Sequence, residues 1–69
     1  MLPYQQRVIE EQSELQIKLQ GLTAYLSAGK AAHVSDSDWQ DLLLQEEAMD
    51  TYNTILLRRV SNFKTNGAN

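Results

Sequence analysis

The sequence predicts an all-α protein, an antiparallel two-helix hairpin that assembles into a compact homo-oligomeric helical bundle. Two long segments carry apolar residues at helical spacing, and one short stretch rich in Gly, Ala, Ser and Asp separates them. Each segment also carries apolar residues on more than one face. All of this fits in 69 residues, with no cysteine and a single histidine. A chain near this size hides only about 60% of the surface it exposes when unfolded, so its core is thin. Without a disulfide or a metal, partner subunits are the remaining means of stabilising it.

The first helix is expected at about residues 3–28. Pro3 suits an opening turn, where its missing N–H would be unpaired anyway. Val8, Leu15 and Leu22 fall seven apart, Leu19 and Leu26 follow the last two by four, and Ile9 and Tyr25 widen the stripe. Gly21 interrupts this helix at a cost of roughly 1 kcal/mol relative to Ala, so either the helix bends there or something packs closely on its backbone. The loop, about 29–36, is short enough to force an antiparallel return. Within it, Ser35 with Asp38, or Ser37 with Gln40, has capping-box spacing, and Asp36, Asp38 and Asp41 suit a positive helix N-terminus. The second helix is expected at about 37–63, starting within a residue or two of Ser37. Leu42, Met49, Leu56 and Phe63 repeat every seven residues, joined by Leu43, Tyr52, Ile55 and Val60. Arg58, Arg59 and Lys64 complement the dipole at its end, and residues 64–69 read as a frayed tail. The whole chain, 1–69, reads as one helical domain.

Two helices cover only one stripe of each other. Leu2, Ile9, Ile17 and Tyr25 on the first, and Leu44, Ile55 and Leu57 on the second, lie outside the simplest seam and would leave a large apolar patch on a monomer. A bundle shared between subunits resolves this. The alternative within one chain is a short N-terminal helix at residues 1–10, folded back over the same surface.

The net charge of -3 argues against a duplex nucleic-acid binder, although a small anion in a local pocket is compatible with it. No apolar run is long enough to span a membrane, and the opening MLPYQQRVIEEQ lacks the features of a secretory signal. The expectation is a soluble, cytosolic protein, and no cofactor is called for. Nor is an enzyme: no phosphate loop, metal spacing or activated nucleophile is recognisable. His33 reads as a solvated loop residue. The clusters Glu10, Glu11, Glu14 and Glu46, Glu47, Asp50 read as solvated helix faces. Lys18 has Glu14, and Arg7 has Glu11, as an i, i+4 partner. Tyr4, with Arg7 one turn on, pairs an aromatic ring with a cation, which is what a nucleotide needs for base stacking and phosphate neutralisation. A plain reading of Tyr4 as an apolar plug with its hydroxyl at the surface stands beside that one.

The segments YQQRVIEEQSELQIKLQGLTAYL and LLLQEEAMDTYNTILLRRVSNF resemble a family of short phage proteins, the anti-CBASS sponges that sequester cyclic oligonucleotides. The family pattern opens on YQQRV and passes through an acidic stretch to K-L-x-x-L-T/N-A-F/Y. Its second helix ends Y-x-x-x-L-x-x-R-[IV]-x-x-F. Residues 4–26 and 42–63 follow it, about two thirds of the chain. The resemblance implies a compact homohexamer in the cytoplasm of the infected host. Its pockets for cyclic di- and trinucleotides would lie between subunits, keeping the host's immune effector from being activated. It also implies roles: Tyr4 as the base-stacking ring, Lys18 as the phosphate-binding cation and Thr23 as a hydroxyl donor. Arg59 and Arg7 become candidates for a second pocket that takes a larger ring. Family members often carry another basic residue near position 21, where this chain has Gly21. The competing expectation is a helical protein-protein interaction module with no nucleotide ligand.

Overall fold

A computed structural model describes the backbone of residues 1–66 and the side chains of residues 1–63. Helix α1 spans Pro3–Ser27 and helix α2 spans Asp36–Asn66, and they pack side by side as an antiparallel hairpin. Among the described residues there is no strand. The resulting rod measures 53 × 16 × 14 Å.

Local chemistry accounts for the helix ends. Leu2 is extended (φ -76, ψ 150), and its N–H donates to the Gln5 side-chain oxygen at 2.9 Å. Leucine has no acceptor to return, so only one half of a capping box forms. Pro3 occupies the first turn as expected, and residues 3–10 are the opening turns of α1 rather than a separate short helix. After Ser27 the Gly29 N–H donates to the Leu26 carbonyl at 3.1 Å, and a φ of 89 at Gly29 turns the chain out of the helix. This left-handed stop favours glycine. Ser35 caps α2: its Oγ accepts from the Asp38 N–H at 3.0 Å and its carbonyl accepts from the Trp39 N–H at 2.9 Å. Of the two serine candidates, Ser35 is the cap. Helix α2 continues three residues beyond Phe63, because Lys64, Thr65 and Asn66 include no breaker before Gly67. The rest of the expected tail, 67–69, lies outside the described residues.

The seam is thin. Among the described residues the buried apolar side chains are Val8, Leu15, Leu19 and Leu56, and Met49, Val60 and Phe63 pack against the cluster of Val8, Leu15 and Leu56. Of the residues expected to widen the seam, Leu43 and Tyr52 are instead exposed at its edges and Ile55 is exposed on the outer face of α2. A heptad stripe drifts about 20° per repeat on a 3.6-residue helix, so a stripe drawn too wide includes flanking positions.

The middle of the seam is polar. The Gln12 amide donates to Gln16 Oε1 at 3.1 Å and to Asn53 Oδ1 at 3.2 Å, and the Asn53 amide donates to Gln16 Oε1 at 2.9 Å. This closed ring satisfies its members, and no buried side-chain N or O among the described residues lacks a partner. An aromatic pair closes each end of the rod. Tyr4 meets Phe63 edge to face, with ring centroids 5.7 Å apart, and Tyr25 leans on Trp39 at 6.3 Å beside the loop.

Two substitutions test this picture. Asn53→Ala removes the two bonds of the ring that cross between the helices and leaves the one between Gln12 and Gln16, so a loss of about 1–3 kcal/mol is expected in urea unfolding. Gly21 sits in unbroken helix with open space where a Cβ would go. Gly21→Ala is therefore expected to stabilise the isolated hairpin by roughly 1 kcal/mol. Thermal denaturation at low concentration checks this, and a fall in stability there would contradict the open space.

Candidate functional site

Tyr4, Arg7, Glu11, Glu14, Lys18 and Tyr25 are separated by 3, 4, 3, 4 and 7 residues, so they form one line along α1. This line flanks the buried one on a single side, and every member is exposed. The corresponding edge of α2 carries Tyr52 and Arg59, both exposed. The hairpin therefore has one long edge bearing three tyrosines and three cations, with the carboxylates of Glu11 and Glu14 between Arg7 and Lys18.

The cations on this edge form no ion pair among the described residues. Neither of the expected i, i+4 pairs, Glu14 with Lys18 or Arg7 with Glu11, closes: the ion pair formed among the described residues joins Lys30 of the loop to Asp36 at the start of α2, at 3.5 Å. Exposed pairs of this kind gain little over hydration, so the long side chains extend into water instead. Arg7, Lys18 and Arg59 thus have no protein partner among the described residues. Tyr4 combines its two readings. Its ring packs on Phe63 and fixes the end of the hairpin, yet 46% of the residue stays open to solvent.

Distance separates the principal pair. Tyr4 and Lys18 lie fourteen residues apart on one straight helix, about 21 Å at 1.5 Å per residue. That exceeds the span of a cyclic dinucleotide, so within one chain they do not share a ligand of that size. Arg7, one turn from Tyr4, does lie within such a span of it.

Thr23 belongs elsewhere. Its hydroxyl donates to a Glu46 carboxylate oxygen at 2.9 Å, bridging the helices on the opposite edge. There it lines an open groove of about 540 Å³ with Leu19, Leu43, Glu46, Glu47 and Asp50. Three carboxylates around an apolar floor repel phosphate, so this groove does not suit an anionic ligand. Sequence reasoning treated those acids as a solvated face. The signal of a groove was the alternation of Leu19 and Thr23 against Leu43 and Glu46 across the seam, visible only once the register of the helices is known.

The described residues form an all-helical two-helix rod with an open edge of aromatic and charged side chains. More particularly, the chain belongs to the Sequestin family, whose profile matches residues 2–62. The family name denotes sequestration, a binding task rather than a catalytic one. The chain is also 38% identical over 64 residues to an uncharacterized 7.5 kDa protein in the denB-rIIB intergenic region of Enterobacteria phage T4, covering 93% of this chain and 100% of that one. No solved structure matches it. Family membership bears out the resemblance drawn from residues 4–26 and 42–63. No described helix is long and apolar enough to cross a membrane.

Packing on Phe63 makes Tyr4 a structural residue as well as an exposed one. Tyr4→Phe is expected to leave unfolding unchanged, whereas Tyr4→Ala should cost about 1 kcal/mol or more through the lost ring contact. Paired urea titrations of the two variants read this difference.

Proposed function

We propose that this chain binds and holds a cyclic oligonucleotide second messenger, a cyclic dinucleotide such as cGAMP and also a cyclic trinucleotide. The messenger is thereby kept from the CBASS effector of an infected host, in whose cytoplasm it is made. One observation carries the reading: within the segment that belongs to the Sequestin family, exposed tyrosine and unpaired cations share a single edge. Aromatic rings stack on bases and free cations neutralise phosphates, and both are kept out of the acidic groove.

Each residue has a part. Tyr4 stacks on a base, and Lys18 binds a phosphate as a point charge. Because these two lie about 21 Å apart in one chain, a ligand touching both takes Tyr4 from one copy and Lys18 from another. The pocket is therefore an intersubunit one, and a closed homo-oligomer, a hexamer in this proposal, repeats it by symmetry. Arg7 and Arg59 serve a second pocket for the larger ring. Thr23 contributes only when its hydroxyl is released from Glu46, and the acids beside it oppose a phosphate there. No bond is made or broken. Affinity and copy number determine the outcome.

Native mass spectrometry with and without cyclic dinucleotide gives subunit number and ligand stoichiometry together, and calorimetry gives the affinity. Tyr4→Ala is expected to lose about 1–3 kcal/mol of binding, as removal of a base-stacking ring does. Lys18→Ala should lose about 1.5–3 kcal/mol, as loss of a charged hydrogen bond does. Bound nucleotide should be recovered intact after the protein is heat-denatured. No binding across a panel of cyclic di- and trinucleotides defeats the proposal, and recovery of linear product would move the protein into the enzymes. The second reading, a helical interaction module with no nucleotide ligand, draws on the exposed Leu44, Ile17 and Leu57. It expects a monomer whose mass does not respond to nucleotide.

A further inference from the structure

Gly21 interrupts the line that Tyr4, Arg7, Glu11, Glu14, Lys18 and Tyr25 draw along α1. It stands three residues after Lys18 and four before Tyr25, where side chains on a helix are neighbours. A Cβ at Gly21 would meet nothing within 4 Å, so no side chain from the rest of the hairpin reaches the space. The other neighbours of this position are Ile17 and Ala24, both exposed. Ile17 is 69% exposed, an apolar side chain with nothing to cover it. On the far side the Tyr25 ring leans on Trp39, with centroids 6.3 Å apart, so α2 braces it while 44% of the residue stays open. Lys18 makes no ion pair among the described residues. A bare patch of helix backbone is thus walled by an aliphatic side chain and a cation on one side and by a braced aromatic ring on the other. Glycine inside a helix is unfavourable relative to alanine, and alanine would fit here without a clash, so packing within the hairpin gives glycine no advantage. Close approach of a ligand to the backbone does.

We infer that the notch at Gly21 is the subsite for the second base of a bound cyclic dinucleotide. The inference rests on the proposed function, in which Tyr4 from one copy stacks on a base and Lys18 from another holds a phosphate. A cyclic dinucleotide carries two bases, and that arrangement leaves one of them without a partner. In the chain that supplies Lys18 the notch begins one turn further along. Tyr25 is seven residues from Lys18, about 10 Å at 1.5 Å per residue, half the gap between Lys18 and Tyr4 of the same chain. The second base enters edge-on against the backbone at Gly21, stacks one face on the Tyr25 ring and turns the other toward Ile17, while its phosphate stays at the Lys18 ammonium. Stacking accepts any base, so the subsite adds affinity more than base choice.

Trp39 is the only tryptophan of the chain and packs against Tyr25, so its emission reports on the notch. The full chain is titrated with cGAMP, followed by Trp39 emission and in parallel by calorimetry. Emission is expected to fall with the same midpoint as the heat. Gly21→Leu fills the notch with a good helix former, and should weaken binding about tenfold or more, the scale of a lost base stack. Its stability in urea and its assembly by native mass spectrometry should match or exceed those of wild type. Tyr25→Ala should weaken binding on the same scale, whereas Tyr25→Phe should bind as wild type does, because stacking needs the ring and not the hydroxyl. Tight calorimetric binding with unchanged Trp39 emission, or wild-type affinity in Gly21→Leu, overturns the subsite and leaves the proposed function standing. Loss of assembly in Gly21→Leu overturns it as well, since the bare backbone then serves a contact between copies. An absence of heat with every cyclic dinucleotide removes the proposed function and the subsite together.

Discussion

The ring of hydrogen bonds among Gln12, Gln16 and Asn53 is the constraint from which the other contacts of the hairpin follow. An apolar heptad seam of leucines and valines tolerates a slide of one turn with little penalty. A polar layer does not, because a slide would leave its amides buried without partners. With Asn53 held level with Gln12 and Gln16, Tyr4 arrives at Phe63, Thr23 at Glu46 and Tyr25 at Trp39. The same register decides which side chains share an edge. The open edge of tyrosines and cations and the acidic groove are therefore both consequences of a layer that contributes no apolar burial.

Thinness is the second governing fact. Among the described residues four buried apolar side chains make a small core for two long helices, while Met1, Leu2, Ile17, Leu44, Ile55 and Leu57 remain open to solvent. Apolar surface of that extent is usually covered. The distribution is more informative than the amount. Ile17 faces away from α2, Leu44 and Ile55 lie on the outer face of α2, and the cationic line occupies a third surface. A rod with distinct surfaces can bring subunits together on some of them and present a ligand site on another. Under the proposed function association and binding are parts of one design, since the pocket proposed there takes Tyr4 and Lys18, about 21 Å apart in one chain, from different copies.

Much of the hairpin was legible in advance because its signals are local. Pro3 opens α1, Gly29 takes the positive φ that ends it, and Ser35 caps α2, each for reasons that involve a few neighbouring residues. Val8, Leu15, Leu19 and Leu56 were legible from spacing, and so were the apolar positions left outside the seam. The polar ring was not. Gln12, Gln16 and Asn53 look like ordinary surface residues on amphipathic helices, and only their mutual pairing makes their burial tolerable. The expected pairs Glu14–Lys18 and Arg7–Glu11 also failed to form, since spacing permits such contacts without making them favourable. For the candidate site, residue types and a shared edge for Tyr4, Arg7 and Lys18 could be read from the sequence. The opposite placement of Thr23 could have been noticed from its spacing, but its bond to Glu46 could not.

By itself the sequence determined two helices, their ends, the stripe each buries and the excess of apolar surface, since these depend on φ/ψ preferences and on a period of 3.6 residues. It also carried the motifs that place the chain among the Sequestins. Tertiary structure alone decided the register, the polar layer, the acidic groove and the separation of Thr23 from the cationic edge. Those features depend on how two helices slide and rotate against each other, and that is set by hydrogen-bond partners some forty residues apart in the chain.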